Sequence, residues 1–149
     1  MDSYDIEWFW GKCSKPAQPS GVRQFKSGMV GVARGQTVRI NVVNTAAEPS
    51  SLAKTAWIQG WGNPRSEMLQ QATFTLEAGA SVFTDLNGDA IVGHKEVRHE
   101  IRAEVTILND PNSACAVTME VFDNDSGKTT VLAHLAEACA TTSQPAPAA

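Results

Sequence analysis

Short runs of alternating apolar and polar residues dominate the chain from about residue 36 onward. TVRINVVN (37–44) puts Val38, Ile40 and Val42 on one side and Arg39 and Asn41 on the other. ATFTLEAG does the same with Phe74 and Leu76 against Thr73, Thr75 and Glu77. IRAEVTIL sets Ile101, Ala103, Val105 and Ile107 against Arg102, Glu104 and Thr106, and AVTMEVF aligns Val117, Met119 and Val121. A period of two, rich in β-branched residues, is the pattern of a strand with one buried face. The runs KTAWIQGW, SVFTDL and TTVLAHL continue the series.

Turn chemistry separates these runs. GNPRS, Ala78-Gly79, NDPNS and DNDSGK carry the Gly, Pro, Asn and Asp residues that tight turns require. The reading is about seven or eight short antiparallel strands, with turns roughly every eight to twelve residues, as in a sandwich or barrel. Helical spacing occurs only in LAHLAEACA (132–140), where Leu132, Leu135 and Cys139 share a face. The organisation expected is an N-terminal extension and linker over 1–21, a β-domain over 22–135, and a short helix or disordered tail over 136–149.

The chain has 149 residues and a formal net charge of -4, with a pI near 5.3. One domain with a real core fits this length. The acidic balance and the lack of a dense Lys/Arg cluster argue against nucleic acid as a partner. No apolar run has the length of a membrane span. The start, MDSYDIEWFWGKC, lacks the basic residues and the apolar core of a signal peptide. That predicts either a cytoplasmic protein or one whose leader has been removed.

Three blocks carry a resemblance: SGMVGVARGQTVRINVVNTA, FTLEAGASVFTDLNGD and RAEVTILNDPNSACAVTMEVFDNDSGKTTVL. They resemble small, uncharacterised bacterial β-sandwich proteins with an immunoglobulin-like architecture, many of them made with a secretion signal. The resemblance covers somewhat more than half of the chain. It implies a single immunoglobulin-like sandwich, secreted or at the cell surface, and it carries no catalytic residues. The missing leader and the aromatic extension depart from that pattern.

Candidate chemistry centres on DLNGDAIVGHKE (85–96). Asp85, Asn87, Asp89 and Glu96 fall at positions one, three, five and twelve of a calcium loop, the hard oxygen ligands that Ca²⁺ takes. Ala90 stands at the sixth position, where the sharp turn calls for Gly. The neighbouring runs also read as strands rather than helices. The expectation is therefore an Asx-rich turn or a calcium-binding loop between strands, with Glu96 short of the site. DNDSG reads as a hairpin tip. His94, His99 and His134 are not spaced to converge on a metal. GxSxG, P-loop and GxGxxG motifs are absent, and no acid–base pair can be assigned.

The remaining features lie at the ends. Of the three cysteines, Cys13 and Cys139 could tie the termini together, with free thiols as the alternative. Near the start, Tyr4, Ile6, Trp8 and Trp10 alternate with Glu7 and Phe9 ahead of the linker PAQPSG. So much apolar surface is rarely left uncovered. The segment is expected to pack on its own sandwich or to add as a strand to a neighbouring subunit. The function expected is a non-enzymatic structural or interaction protein, with itself or another protein as partner. The alternatives are a calcium-dependent binding module and an enzyme whose site forms only in the fold.

Overall fold

The structure, a computed structural model, describes residues 21–47, 53–62, 67–111 and 114–138. Among these residues, ten strands and one helical turn follow in order: β1 Arg23–Lys26, β2 Val30–Ala33, β3 Gln36–Asn44, β4 Lys54–Gly62, β5 Glu67–Leu76, β6 Ser81–Asn87, α1 Gly88–Ile91, β7 Arg98–Leu108, β8 Cys115–Asp123, β9 Thr129–His134 and β10 Ala136–Glu137. They form two antiparallel sheets in a sandwich-like arrangement. One sheet has the order β10-β1-β7-β4-β5, with β2 also on β7; the other is β6-β3-β8-β9. The centres of both sheets, β4·β7 and β3·β8, join strands distant in sequence.

The alternation read from the sequence sets the core. Val38, Ile40, Val42, Val117, Met119 and Val121 from one sheet meet Ala56, Ile58, Ile101, Ala103, Val105 and Ile107 from the other, all buried. Each such large apolar side chain contributes about 1.5–3 kcal/mol over leaving it in water. Glycines appear where space runs out. Gly88 starts α1 against the β2–β3 turn, and a Cβ there would meet the Ala33 carbonyl oxygen at 2.1 Å. Gly127 takes φ 73° in the DNDSGK turn, a region that costs glycine nothing.

Four features differ from the sequence reading. The short strands β1 and β2 precede the first alternating run and are only four residues each. Ser27 interrupts them but keeps the ladder on β7, donating its N–H to the Ala103 carbonyl at 3.0 Å and accepting the Ala103 N–H on its hydroxyl at 2.8 Å. The strand SVFTDL runs on to Asn87, and one helical turn follows it. The helix expected from residue 132 is, as far as residue 137, two strands instead. β9 pairs with β8, Leu135 turns inward at 6% exposure, and β10 pairs with β1 in the opposite sheet. The lead-in Thr129-Thr130-Val131 favours strand, and pairing with two sheets outweighs the helical spacing. The sandwich therefore extends past residue 135 to Glu137.

Candidate functional site

The oxygen-rich loop sits at the end of the sandwich where β6 gives way to α1. Its four expected ligands are not brought together. Asp85 is still in β6, directly across from Arg39, and points to the outer sheet face. There it accepts two bonds from the Arg39 guanidinium at 2.8 and 2.9 Å. That fork, followed by the charges of Asp85 and Glu120, holds the arginine above its ordinary pKa. The same guanidinium lies 3.8 Å from the Phe83 ring centre and 5.2 Å from that of Phe122.

Asn87 caps α1 by accepting the Asp89 N–H at 2.9 Å, and it also accepts from the Asn124 amide at 3.3 Å. Asp89 accepts the Gly35 N–H at 2.8 Å. Glu96 accepts the Gly93 N–H at 2.7 Å and contacts His99 Nδ1 at 3.1 Å. The Gly93 bond first, then His99, holds the Glu96 carboxyl below its usual range. Asp85 is held by the arginine of β3, while Asn87, Asp89 and Glu96 pin the turn to its neighbours. Among the described residues, no three His, Cys, Asp or Glu side chains form a group that could hold a metal ion.

Arg34 completes this end. Its guanidinium donates to the carbonyls of Val92, Gly93 and Glu96. An open cleft of about 470 Å³ is lined by Arg34, Asp89, Val92, Gly93 and His94. Arg34 and Asp89 both have partners within the neighbouring loops. His134 lies on β9, away from both other histidines, opposite Thr118.

The opposite end holds a buried charged cluster that the sequence reading did not find. Asp110 is fully buried; Oδ1 lies 3.5 Å from Lys54 Nζ and accepts the Ala114 N–H at 2.9 Å. Its Oδ2 has no partner among the described residues. Arg23, also buried, donates to the carbonyls of Asp110 and Pro111 and pairs with Glu137 at 3.2 Å. This ties β1, β10 and the β7–β8 turn together. The signal for it was in the pattern: Lys54 shares the inward parity of Ala56 and Ile58, and Arg23 that of Phe25. Cys115 sits beside this cluster. Burial, then the nearby Asp110 charge, pushes its thiol up to about 12, so at neutral pH it is an unreactive thiol.

The third region is the flank formed by β9. Among the described residues it pairs with β8 on one side only and is an edge of its sheet. Its burial is unlike that of any inner strand: Val131 is 41% and Leu132 61% exposed. Val131 and Ala133 share the inward face with Val121 and Met119, their partners on β8. The sequence TTVLAH has no proline, lysine or carboxylate, the residues that usually blunt an edge. A register shift on β8 at Val121/Phe122 leaves the pairing from Val131 to His134 regular.

Tyr4, Ile6, Trp8, Phe9 and Trp10 lie outside the described residues, as do Cys13 and Cys139, the pair expected to tie the ends. Comparison of the chain with protein-family models, with curated proteins and with solved structures found no match. No helix among the described residues is long and apolar enough to cross a membrane.

Proposed function

We propose that this protein is a non-enzymatic interaction module that self-associates by strand addition, with β9 as the acceptor and residues 4–10 of a second copy as the donor. The exposed, uncharged β9 edge is the observation that carries this reading. An edge strand presents unpaired N–H and C=O groups and accepts an extended segment readily, and native sheets normally blunt such an edge. The donor suits the acceptor. Ile6, Trp8 and Trp10 fall on one side of an extended chain, where they would cover the inward face that Val131 leaves open.

A second copy is favoured over the segment's own sandwich by the position of β1. The described chain enters at Gly21, whose carbonyl accepts the Asp110 N–H at 2.8 Å, and runs directly into β1. The free side of β1 is already taken by β10. Among the described residues, two uncharged strands pair on one side only, the four-residue β2 in the first sheet and the longer β9 in the other. The architecture is read as immunoglobulin-like, and the setting as a bacterial cell surface or secreted assembly, on the sequence resemblance alone. Light scattering of the full chain against a chain lacking residues 1–20 tests the reading. The full chain should form species whose mass grows with concentration, and the shortened chain should be monomeric. A full chain that stays monomeric at every concentration overturns it.

A further inference from the structure

Lys54 and Asp110 are aimed at one another by an unusual turn. β7 ends at Leu108, whose side chain faces out. Continued extension would put Asp110 on the same side as Leu108. Asn109 instead takes φ 64°, the left-handed region that residues other than glycine rarely adopt, and Asp110 goes inside. The Asn109 amide donates to the Ala53 carbonyl at 2.8 Å, so the residue before Asp110 is tied to the residue before Lys54. Backbone of this kind persists where the surroundings over-determine it.

The Asp110 main chain is held from both sides. Its N–H donates to the Gly21 carbonyl at 2.8 Å, and its carbonyl accepts from Arg23 Nε at 3.1 Å. The carboxyl is held unevenly. Oδ1 accepts the Ala114 N–H at 2.9 Å and faces Lys54 Nζ at 3.5 Å, while Oδ2 has no partner among the described residues. The two side chains are 0% and 8% exposed. Burial penalises the charged form of both groups, and moving one proton from Nζ to Oδ2 neutralises them together. That leaves a free amine against an undissociated acid.

We propose that Lys54 and Asp110 join covalently in the folded chain, through an amide bond between Nζ and Cγ formed with loss of water. The Nζ lone pair adds to Cγ. Oδ2, already protonated, takes a second proton from Nζ and leaves as water, and Oδ1 stays as the carbonyl oxygen of the amide. No oxidant, reductant or cofactor is consumed. The Ala114 N–H polarises the carbonyl and steadies the charge that gathers on Oδ1 during addition. Holding the two groups in contact makes the condensation intramolecular, which in well-oriented cases is worth an effective concentration of about 10⁵–10⁸ M. Burial keeps away the water that would reverse it. The bond closes a loop containing β5, β6, α1 and β7, and it would restrict the unfolded chain as a disulfide does.

The test uses the full chain, kept folded for days at physiological temperature. It is then denatured with its cysteines reduced, and its intact mass is compared with that of the sequence, allowing for removal of Met1. The chain should be lighter by one water molecule. Tryptic digestion should yield a branched peptide that joins the segment carrying Lys54 to the segment carrying Asp110, which cleavage at Arg65, Lys95, Arg98 and Arg102 otherwise separates. The branch distinguishes this bond from water lost when an aspartate cyclises on its own backbone. Lys54→Arg and Asp110→Ala should each show the full mass of their sequence and no branched peptide. The parent chain decides the question by itself, so a variant that folds poorly does not obscure it. The proposal is overturned if the parent has its full sequence mass, if it is lighter without a branched peptide, or if the branched peptide survives in Lys54→Arg.

Discussion

The two flanks of the sandwich are built differently, although each is the meeting of two sheet edges. On the β5–β6 flank the chain passes directly from one sheet to the other through the turn at Gly79. That turn is stitched to Asn44, which donates its N–H to the Ala80 carbonyl and accepts the Gly79 N–H. Gln70 donates across the gap to the Thr84 hydroxyl at 3.0 Å, and Leu76 and Leu86 are buried behind it. Charges stand on both strands, Glu67 on β5 and Asp85 on β6. The β9 flank is closed at one end only, where Leu135 and β10 cross to β1 and Arg23 pairs with Glu137. Above that crossing the edge is uncharged and exposed. The difference teaches that an open edge here is local and selective, since the same fold seals its other flank with side-chain bonds, charge and apolar cover.

The largest effect is expected where the crossing is anchored. Asp110→Ala leaves Lys54 buried without its partner, a loss of about 3–5 kcal/mol when half of a buried pair is removed. Urea unfolding measures it; a cost near zero would mean that the closed part of the β9 flank does not depend on this cluster. The next contrast sets the flanks directly against each other. Leu76→Ala, on the sealed side, should cost about 2–5 kcal/mol, as large-to-small core changes do. Val131→Ala, half in solvent, should cost less than about 1 kcal/mol, because little buried surface and no cavity are involved. Equal costs would remove the distinction. On the sealed flank, Gln70→Ala deletes one bridging bond and should cost about 0.5–1.5 kcal/mol, well below the cost of Leu76→Ala.

Most of the fold was legible because one face of each long strand is buried, and that writes a period of two into the chain. Strands β3, β5, β7 and β8 stand where the alternation placed them. The misses have physical causes. β1 and β2 are too short for a period to register, and β10 lies where an amphipathic helix spacing beginning inside the TTVLAHL strand suggested a helix. The oxygen-rich loop was legible as residues but not as partners. Nothing in DLNGDAIVGHKE shows that Asp85 faces Arg39, 46 positions earlier, or that Asp89 meets the backbone of Gly35. Those pairings depend on register, which sequence alone does not give. The buried charges were readable in part, since Lys54 and Arg23 occupy inward positions, whereas Asp110 follows the end of β7 and obeys no period.

The central claim is that β9 is a binding edge and the β5–β6 flank is not. Backbone hydrogen exchange of the full chain, measured across a range of protein concentrations, tests it most directly. The account predicts that amides in residues 131–134 gain protection as concentration rises, while those of β5 and β6 do not change. Protection of β9 that is independent of concentration, or that rises equally on both flanks, would contradict it.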